Sequence, residues 1–170
     1  MIERIFGKHQ KLSKPSETFL NLLCFEFIEK IIKMCNKLLH PTNYESEIVK
    51  TFQKKNLTDR EIETSILLLF PKNTVNKYLR NYTDHGTKAI LFSKSITEHL
   101  VKKSIVNDVE ITKQSIELLT FLTENFINDI FICFKKVEPG NSKITNKGFQ
   151  KVFEKEKELR KILKVLNVSL

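Results

Sequence analysis

The sequence has few of the residues that interrupt helices and build turns. Its 170 residues include 4 Gly and 4 Pro, against 13 Phe, and 41% of them are hydrophobic. Because glycine and proline mark most turns between strands, their scarcity favours a helical chain. The hydrophobic content is too high for a disordered chain, and the length suits one compact domain or two small ones.

Other absences exclude whole classes of protein. No apolar run approaches the roughly 18 residues of a membrane-spanning helix, so we expect no membrane partner. The first ten residues include Glu3 and no small-residue cleavage site, which argues against a signal peptide. No glycine-rich phosphate loop is present, and the four histidines lack metal-ligand spacing. We therefore expect no metal, no cofactor, no small-molecule substrate and no enzymatic activity.

The three cysteines are isolated from one another. Cys24, Cys35 and Cys133 form no C-x-x-C pair, and each has apolar neighbours in the sequence. This pattern predicts buried, reduced thiols in a cytosolic or nuclear protein.

The charge is basic, and lysine supplies most of it. The chain has 29 Lys and Arg against 20 Asp and Glu, a formal net charge of +9. Arginine occurs only at positions 4, 60, 80 and 160. A folded surface with this surplus suits an anionic partner such as nucleic acid. A protein that is merely basic explains the charge equally well.

The first half has the pattern of a short, a long and a short helix. A candidate helix from Ile2 to Lys8 precedes apolar residues at spacings of three and four over residues 16–40, which predict a long helix. Ser13 or Ser16 can cap its start, and Pro41 ends it. After a polar connector, residues 42–56, the stretch 57–71 predicts a short helix. Thr58 and Glu61 have the spacing of a capping box there, and Pro71 ends the helix.

The second half repeats this order of lengths. Residues 73–94 predict a helix pair or one bent helix, with Gly86 as the break. A boundary at residues 93–95 would divide the chain into regions 1–94 and 95–170. Ser95 and Glu98 have capping-box spacing at the start of a short helix, residues 96–106. Thr112 can cap a long helix, residues 113–136, and Thr145 a short one, after which the chain stays helical almost to its end.

Stretches in both halves resemble the core histones. "LTDREIETSILLLFP" followed by "HGTKAI" resembles the third and C-terminal helices of histone 2B, and "LSKPSETFLNLLCFEFIEKI" lines up with that family's first loop and long helix. In the second half, "LLTFLT", "SKIT" and "EKEKELRKIL" resemble parts of histone 2A. This order of halves is similar to the histone doublets of large DNA viruses. The resemblance implies an all-α protein of two histone folds, packed head to tail as an intramolecular handshake.

The resemblance also implies a function. A histone doublet would package and compact DNA in nucleosome-like particles together with a histone 3–histone 4-like pair, in the host nucleus, a viral factory or the virion. It would bind phosphates of double-stranded DNA without reading bases, through loops paired between the halves. The candidate residues are Lys11, Ser13, Lys14, Lys143 and Thr145 at one loop pair, Lys54, Lys55, Thr58, Thr112 and Lys113 at the other, and Arg4, Lys8, Lys102 and Lys103 from the first helices.

Several features depart from the histone pattern. Asn125 and Asn128 stand where histone 2A has acidic-patch glutamates, and most of its docking extension is missing. Few arginines are available for the minor groove, so we expect weaker and more salt-sensitive wrapping. Each lysine could be only a solvated surface residue, each threonine only a helix cap, and Arg60 a local ion-pair partner. The alternative function is a histone-fold protein-interaction subunit of a transcription or chromatin factor.

Overall fold

The computed structural model describes residues 11–40, 56–86, 89–106, 109–140 and 143–168, and these residues are mostly helical. The first half contains β1 (Lys11–Leu12), α1 (Lys14–Leu39), β2 (Asn56–Leu57), α2 (Asp59–Leu69) and α3 (Lys72–Thr83). The second half contains α4 (Lys94–Ser104), β3 (Glu110–Ile111), α5 (Lys113–Val137), β4 (Lys143–Ile144), α6 (Asn146–Lys155) and α7 (Lys157–Leu166). Since each described strand has only two residues, the prediction of an all-α chain is confirmed.

The long helix α1 starts two residues earlier than predicted, because Ser13 rather than Ser16 is its N-cap. The Ser16 N–H donates to the Ser13 Oγ at 3.3 Å, and Pro15 lies in the first turn, where proline is tolerated. The helix ends at Leu39, and the His40 N–H still bonds to the Asn36 carbonyl. The predicted helix at residues 2–8 and the predicted connector at 42–55 lie outside the described residues.

The capping box at the start of α2 is confirmed. The Glu61 carboxylate accepts a hydrogen bond from the Thr58 N–H at 3.0 Å, as the motif requires. Phe70 then adopts an extended backbone, with φ −115° and ψ 164°, as expected before proline. After Pro71 a single helix, α3, ends at Thr83, and Gly86 has a φ of +60°. The alternative of a second helix is wrong for residues 89–93, which are irregular.

The caps of the second half agree with the sequence at two sites and differ at one. Thr112 and Thr145 cap α5 and α6 through their side chains, as predicted. The predicted Ser95–Glu98 box does not form, because α4 begins at Lys94 and places Ser95 inside the first turn. Glu98 pairs with Lys102 instead, at 2.7 Å. A break at Glu156 separates α6 from α7.

One hydrophobic core runs through both halves. Phe27 of α1 stacks on Phe70 with 5.1 Å between ring centroids, and on Phe126 of α5 with 4.7 Å. The long helices α1 and α5 contact each other, and α2 packs against both of them. The short helices α2, α4 and α6 therefore each pack against the long helix of their own half and that of the other. The boundary at residue 94 stays an interpretation of the sequence.

Two short parallel strand pairs join the halves at their loops. β1 pairs with β4, so that Lys11 lies opposite Lys143, and β2 pairs with β3, so that Asn56 lies opposite Glu110. The Ser13 N–H extends the first pair by donating to the Ile144 carbonyl at 3.1 Å. Each pair brings the starts of two helices together, one helix from each half.

Candidate nucleic-acid interface

Two regions contain most of the predicted phosphate-binding residues that the structure describes. We name them the β1/β4 end, residues 11–17 and 143–147, and the β2/β3 end, residues 56–61 and 110–113. The helices α1 and α6 start at the β1/β4 end, and α2 and α5 start at the β2/β3 end. The N-terminus of a helix carries unpaired N–H groups and a partial positive charge, so each end is suited to an anion by its backbone alone.

The β1/β4 end is strongly basic. Its four lysines, Lys11, Lys14, Lys143 and Lys147, are all exposed, and its only acidic residue is Glu17. The parallel register sets Lys11 of one half opposite Lys143 of the other. Two like charges side by side repel each other, and an anion bound between them would relieve that repulsion.

A buried hydrogen-bond chain holds the two helix starts of the β1/β4 end together. Ser16, which is completely buried, donates its hydroxyl to the Asn146 Oδ1 at 3.0 Å and lies 2.7 Å from the Ser13 Oγ. The Gly148 N–H donates to the Thr145 Oγ1 at 3.3 Å. These hydrogen bonds hold the backbone from which the exposed lysines extend.

The β2/β3 end has the same backbone plan but much more negative charge. Its described residues include Asp59, Glu61 and Glu110 against Arg60 and Lys113. Glu61 is only 5% exposed, and its carboxylate already occupies the helix start by accepting from Thr58. The predicted Lys54 and Lys55 lie outside the described residues. Among the residues described, this end is the poorer phosphate site.

The threonines at both ends cap helices, which is the alternative to phosphate binding that the sequence left open for them. Thr112 Oγ1 accepts from the Ser115 N–H at 3.1 Å, and Thr145 caps α6 in the same manner. At Thr58 the cap is completed by Glu61. A capping hydroxyl still faces the first turn, where a phosphate would bind, so capping and phosphate contact are compatible. Arg60 is exposed and forms no ion pair with another described residue.

The third predicted site is not assembled within the described residues. Lys102 and Lys103 are exposed near the end of α4, where the Asn36 Nδ2 donates to the Ser104 carbonyl at 2.9 Å. Arg4 and Lys8 lie outside the described residues. The Lys102 ammonium, hydrogen-bonded to Glu98, lowers the pKa of that carboxyl. Lys102 therefore already has an anionic partner within the chain.

Asn125, at one of the two positions where histone 2A has an acidic-patch glutamate, links two helices. The Asn125 Oδ1 accepts from the Asn81 Nδ2 at 2.9 Å, which ties α3 to α5. Lys77 of α3 pairs with Asp129 of α5 nearby. The Glu124 carboxylate accepts from the Phe92 N–H at 2.8 Å and also from the Leu91 N–H. Asp129 and Glu124 therefore both have partners within the chain, an ammonium for the first and backbone N–H groups for the second.

Sequence reasoning missed two contributors to the β1/β4 end. Lys147 is the fourth exposed lysine there, and Asn146 receives the Ser16 hydrogen bond across the halves. The signal for Lys147 was available, since it lies two residues after the cap Thr145 and therefore in the first turn of α6. The Ser16–Asn146 contact depends on the pairing of β1 with β4, which no local pattern specifies.

All three cysteines are free thiols, and two of them, Cys24 and Cys35, are buried. Burial raises the pKa of Cys24 from 9.0 to about 12 and that of Cys35 to about 11, while Cys133 is partly exposed. Cys24 and Cys35 therefore stay protonated at neutral pH and provide no thiolate nucleophile. Within the described ranges, no group of three or more His, Cys, Asp or Glu could hold a metal ion. Among the same residues, no helix is long and apolar enough to cross a membrane.

Comparisons with known proteins give a relative in fold only. The chain is similar to the crystal structure of ttk003001566 from Thermus thermophilus, with a TM-score of 0.56 and 10% sequence identity over 89% of this chain and 90% of that one. No protein-family profile matches the sequence. No curated protein matches it either. The arrangement of helices is therefore one that a solved structure also has, over nearly the full length of both chains.

Proposed function

We propose that this chain is a structural DNA-binding protein in which two histone folds form a handshake within one polypeptide. It packages double-stranded DNA by binding phosphates through paired loops, without reading the base sequence. The proposal includes a histone 3–histone 4-like pair as its protein partner and a location in chromatin, in the host nucleus, a viral factory or the virion. Partner and location depend on the resemblance to viral histone doublets.

The observation that carries the proposal is the pairing of loops between the halves. In each half, one long helix is followed by short ones, and the strand before α1 pairs with the strand before α6. This parallel pair sets Lys11 beside Lys143 at two helix starts. Such an arrangement favours phosphates, which supply most of the affinity of a protein that binds DNA non-specifically.

The direct test is the salt dependence of DNA binding. Fluorescence anisotropy with a labelled random-sequence duplex would measure affinity between about 50 and 200 mM salt, a range over which counterion release has a large effect. If about six phosphates are neutralised, log affinity should fall against log salt with a slope near −5. A slope shallower than about −2 would argue against DNA packaging.

A second experiment tests packaging itself. The protein would be reconstituted on DNA with a candidate histone 3–histone 4 pair and digested with nuclease. We expect a discrete protected fragment, shorter than that of a standard nucleosome because arginines are few. Reconstitution with the histone pair alone is the control. Absence of any added protection at low salt would favour the alternative function.

The alternative is a histone-fold subunit that binds other proteins. One observation favours it: Leu67 and Leu68 of α2 are 51% and 62% exposed, as adjacent large apolar side chains. Apolar surface of this kind is common where proteins dock. A Leu67→Ser/Leu68→Ser variant distinguishes the two functions. DNA packaging by phosphate contacts alone predicts an unchanged salt slope, whereas a protein-binding subunit loses its partner.

A further inference from the structure

The positive charge of the chain is concentrated near its C-terminal helices. Residues 143–164 contain seven lysines, one arginine and three glutamates. The surplus of five positive charges in this short segment is more than half of the chain's total of +9. The β1/β4 end accounts for only Lys143 and Lys147 of these residues, so most of the surplus lies beyond it.

Three of the lysines share one face of α6. Lys147, Lys151 and Lys155 are spaced by four residues, and all three are exposed. The opposite face, with Phe149, Val152 and Phe153, is buried in the core. Since an α-helix rises 1.5 Å per residue, the outer two lysines stand about 12 Å apart along the axis. We call these three residues the α6 lysine face.

The α6 lysine face continues directly from the β1/β4 end. Lys147 belongs to both, because it lies in the first turn of α6 just after β4. Lys151 pairs with Glu138 at the end of α5, whereas Lys147 and Lys155 form no ion pair with another described residue. Beyond Lys155 the Arg160 Nε–H donates to the Phe153 carbonyl at 2.9 Å, which fixes the bend into α7.

The composition of this face favours a polyanion over a protein partner. The exposed residues of α6 are Asn146, Lys147, Gln150, Lys151, Glu154 and Lys155, none of them apolar. Protein interfaces usually depend on a few buried aromatic, aliphatic or arginine anchors, and these are missing from the exposed surface of α6. Glu154 is the one acid among these residues and the three lysines outnumber it. A row of positive charges instead matches duplex DNA, which carries one negative charge per roughly 1.7 Å of its axis.

We propose that the α6 lysine face is a second phosphate-binding surface, in which Lys147 and Lys155 contact phosphates while Lys151 stays paired with Glu138, and that DNA bound at the β1/β4 end continues along α6. This inference rests on the proposed function, and it adds Lys155, which lies outside the paired loops of the β1/β4 end. The DNA path is then longer on the α6 side of the protein than at the β2/β3 end.

The test uses the full chain and a random-sequence duplex of about three helical turns. Each lysine that contacts a phosphate contributes about 0.9 to the salt slope, so Lys155→Gln alone should make the slope shallower by about 0.9 and Lys147→Gln/Lys155→Gln by about 1.8. At about 0.1 M salt this corresponds to roughly 60-fold weaker binding. The variant Lys147→Arg/Lys155→Arg should retain the wild-type slope. Circular dichroism and thermal unfolding would show that both variants fold.

A matched control separates this effect from a general loss of charge. Lys37→Gln/Lys72→Gln removes two exposed lysines from α1 and α3 that, like Lys147 and Lys155, form no ion pair with another described residue, and it should leave the slope within about 0.5 of wild type. Two outcomes overturn the inference while the proposed function survives. In one, the α6 variant keeps the wild-type slope; in the other, the α6 variant and the control variant lose equal amounts of slope. If the wild-type protein shows no salt-dependent DNA binding, both proposals fail.

Discussion

At the β1/β4 end, four exposed lysines surround the starts of α1 and α6, whereas at the β2/β3 end Asp59, Glu61 and Glu110 lie among only two described cations. The backbone plan of the two ends is nevertheless the same, a parallel strand pair followed by two capped helices. The third residue of α2 and the third residue of α6 show the difference most clearly. Glu61 puts a carboxylate at the start of α2, while Gly148 leaves the start of α6 without one.

This difference shows that the N–H groups at a helix start can be satisfied by a carboxylate of the same chain or can be left available to a ligand. A carboxylate at the first turn already supplies the negative charge that the helix dipole favours. The start of α2 is therefore occupied by its own chain, and the start of α6 is available to an external anion. Two similar loop pairs can thus have different roles in one protein.

The largest expected effect is on DNA affinity. Lys11→Gln/Lys143→Gln should weaken binding at about 0.1 M salt by roughly 60-fold, since two phosphate contacts are lost. The matched pair at the other end, Arg60→Gln/Lys113→Gln, should weaken binding by less than about 5-fold, because the acids there already oppose phosphate. Fluorescence anisotropy with a random duplex would measure both. Equal losses at the two ends would contradict the difference between them.

The second effect concerns protein stability and the first turn of α6, directly after the β1/β4 end. A Cβ added at Gly148 would clash with the Phe134 Cε2, so the buried ring must shift. We expect Gly148→Ala to lower the free energy of unfolding by about 1–3 kcal/mol, as overpacking does. Urea unfolding followed by circular dichroism would measure the change.

The cause can be checked with a second substitution. Gly148→Ala should cost less stability in a Phe134→Leu background than in the wild-type protein, because the smaller side chain makes room for the added methyl group. If the two changes are simply additive, contact between these residues is not the reason for the loss.

The third and smallest effect is a pH dependence near the β2/β3 end. The Cys35 Sγ lies 3.1 Å from the Ser65 Oγ of α2, and burial raises its pKa to about 11 from 9.0. A folded pKa above the unfolded value means that stability is complete below about pH 9 and is lost as the pH rises towards about 11. At about pH 10 the loss from this group is on the order of 1 kcal/mol, because the unfolded thiol ionises first.

The variant Cys35→Ser isolates this contribution, since a serine hydroxyl can still bond to Ser65 and does not titrate in this range. Equilibrium unfolding at about pH 8 and about pH 10 should show a smaller difference for the variant than for wild type. Cys24 and Tyr78 have raised pKa values as well, so the variant should keep some alkaline sensitivity. An identical pH profile for both proteins would rule out Cys35 as a contributor.

The sequence predicted the features that depend on neighbours along the chain. The caps at Thr58, Thr112 and Thr145 and the apolar stripe of α1 all follow from spacings of three and four residues. Where two caps competed, sequence alone could not decide. Ser13 rather than Ser16 caps α1. The cap predicted at Ser95 is wrong, because α4 begins one residue before it, after Ser93.

The candidate site was less predictable, because it depends on contacts between distant segments. The lysines were visible in the sequence, but their grouping depends on the register that sets Lys11 opposite Lys143. The neutralising partner of Lys77 also comes from a distant segment, Asp129 of α5. The charge difference between the two ends appears only once Glu110 is placed beside Asn56.

The pairing of β1 with β4 has a consequence for how the chain reaches its native state. The partner of Lys11 is Lys143, far along the chain, and the buried hydroxyl of Ser16 finds its acceptor at Asn146. At a translation rate of about 5–20 residues per second, the nascent first half waits on the order of ten seconds for that acceptor to be made. During this interval α1 exposes the apolar stripe that α5 will cover, so a ribosome-associated chaperone would have its best access to this protein before the second half emerges.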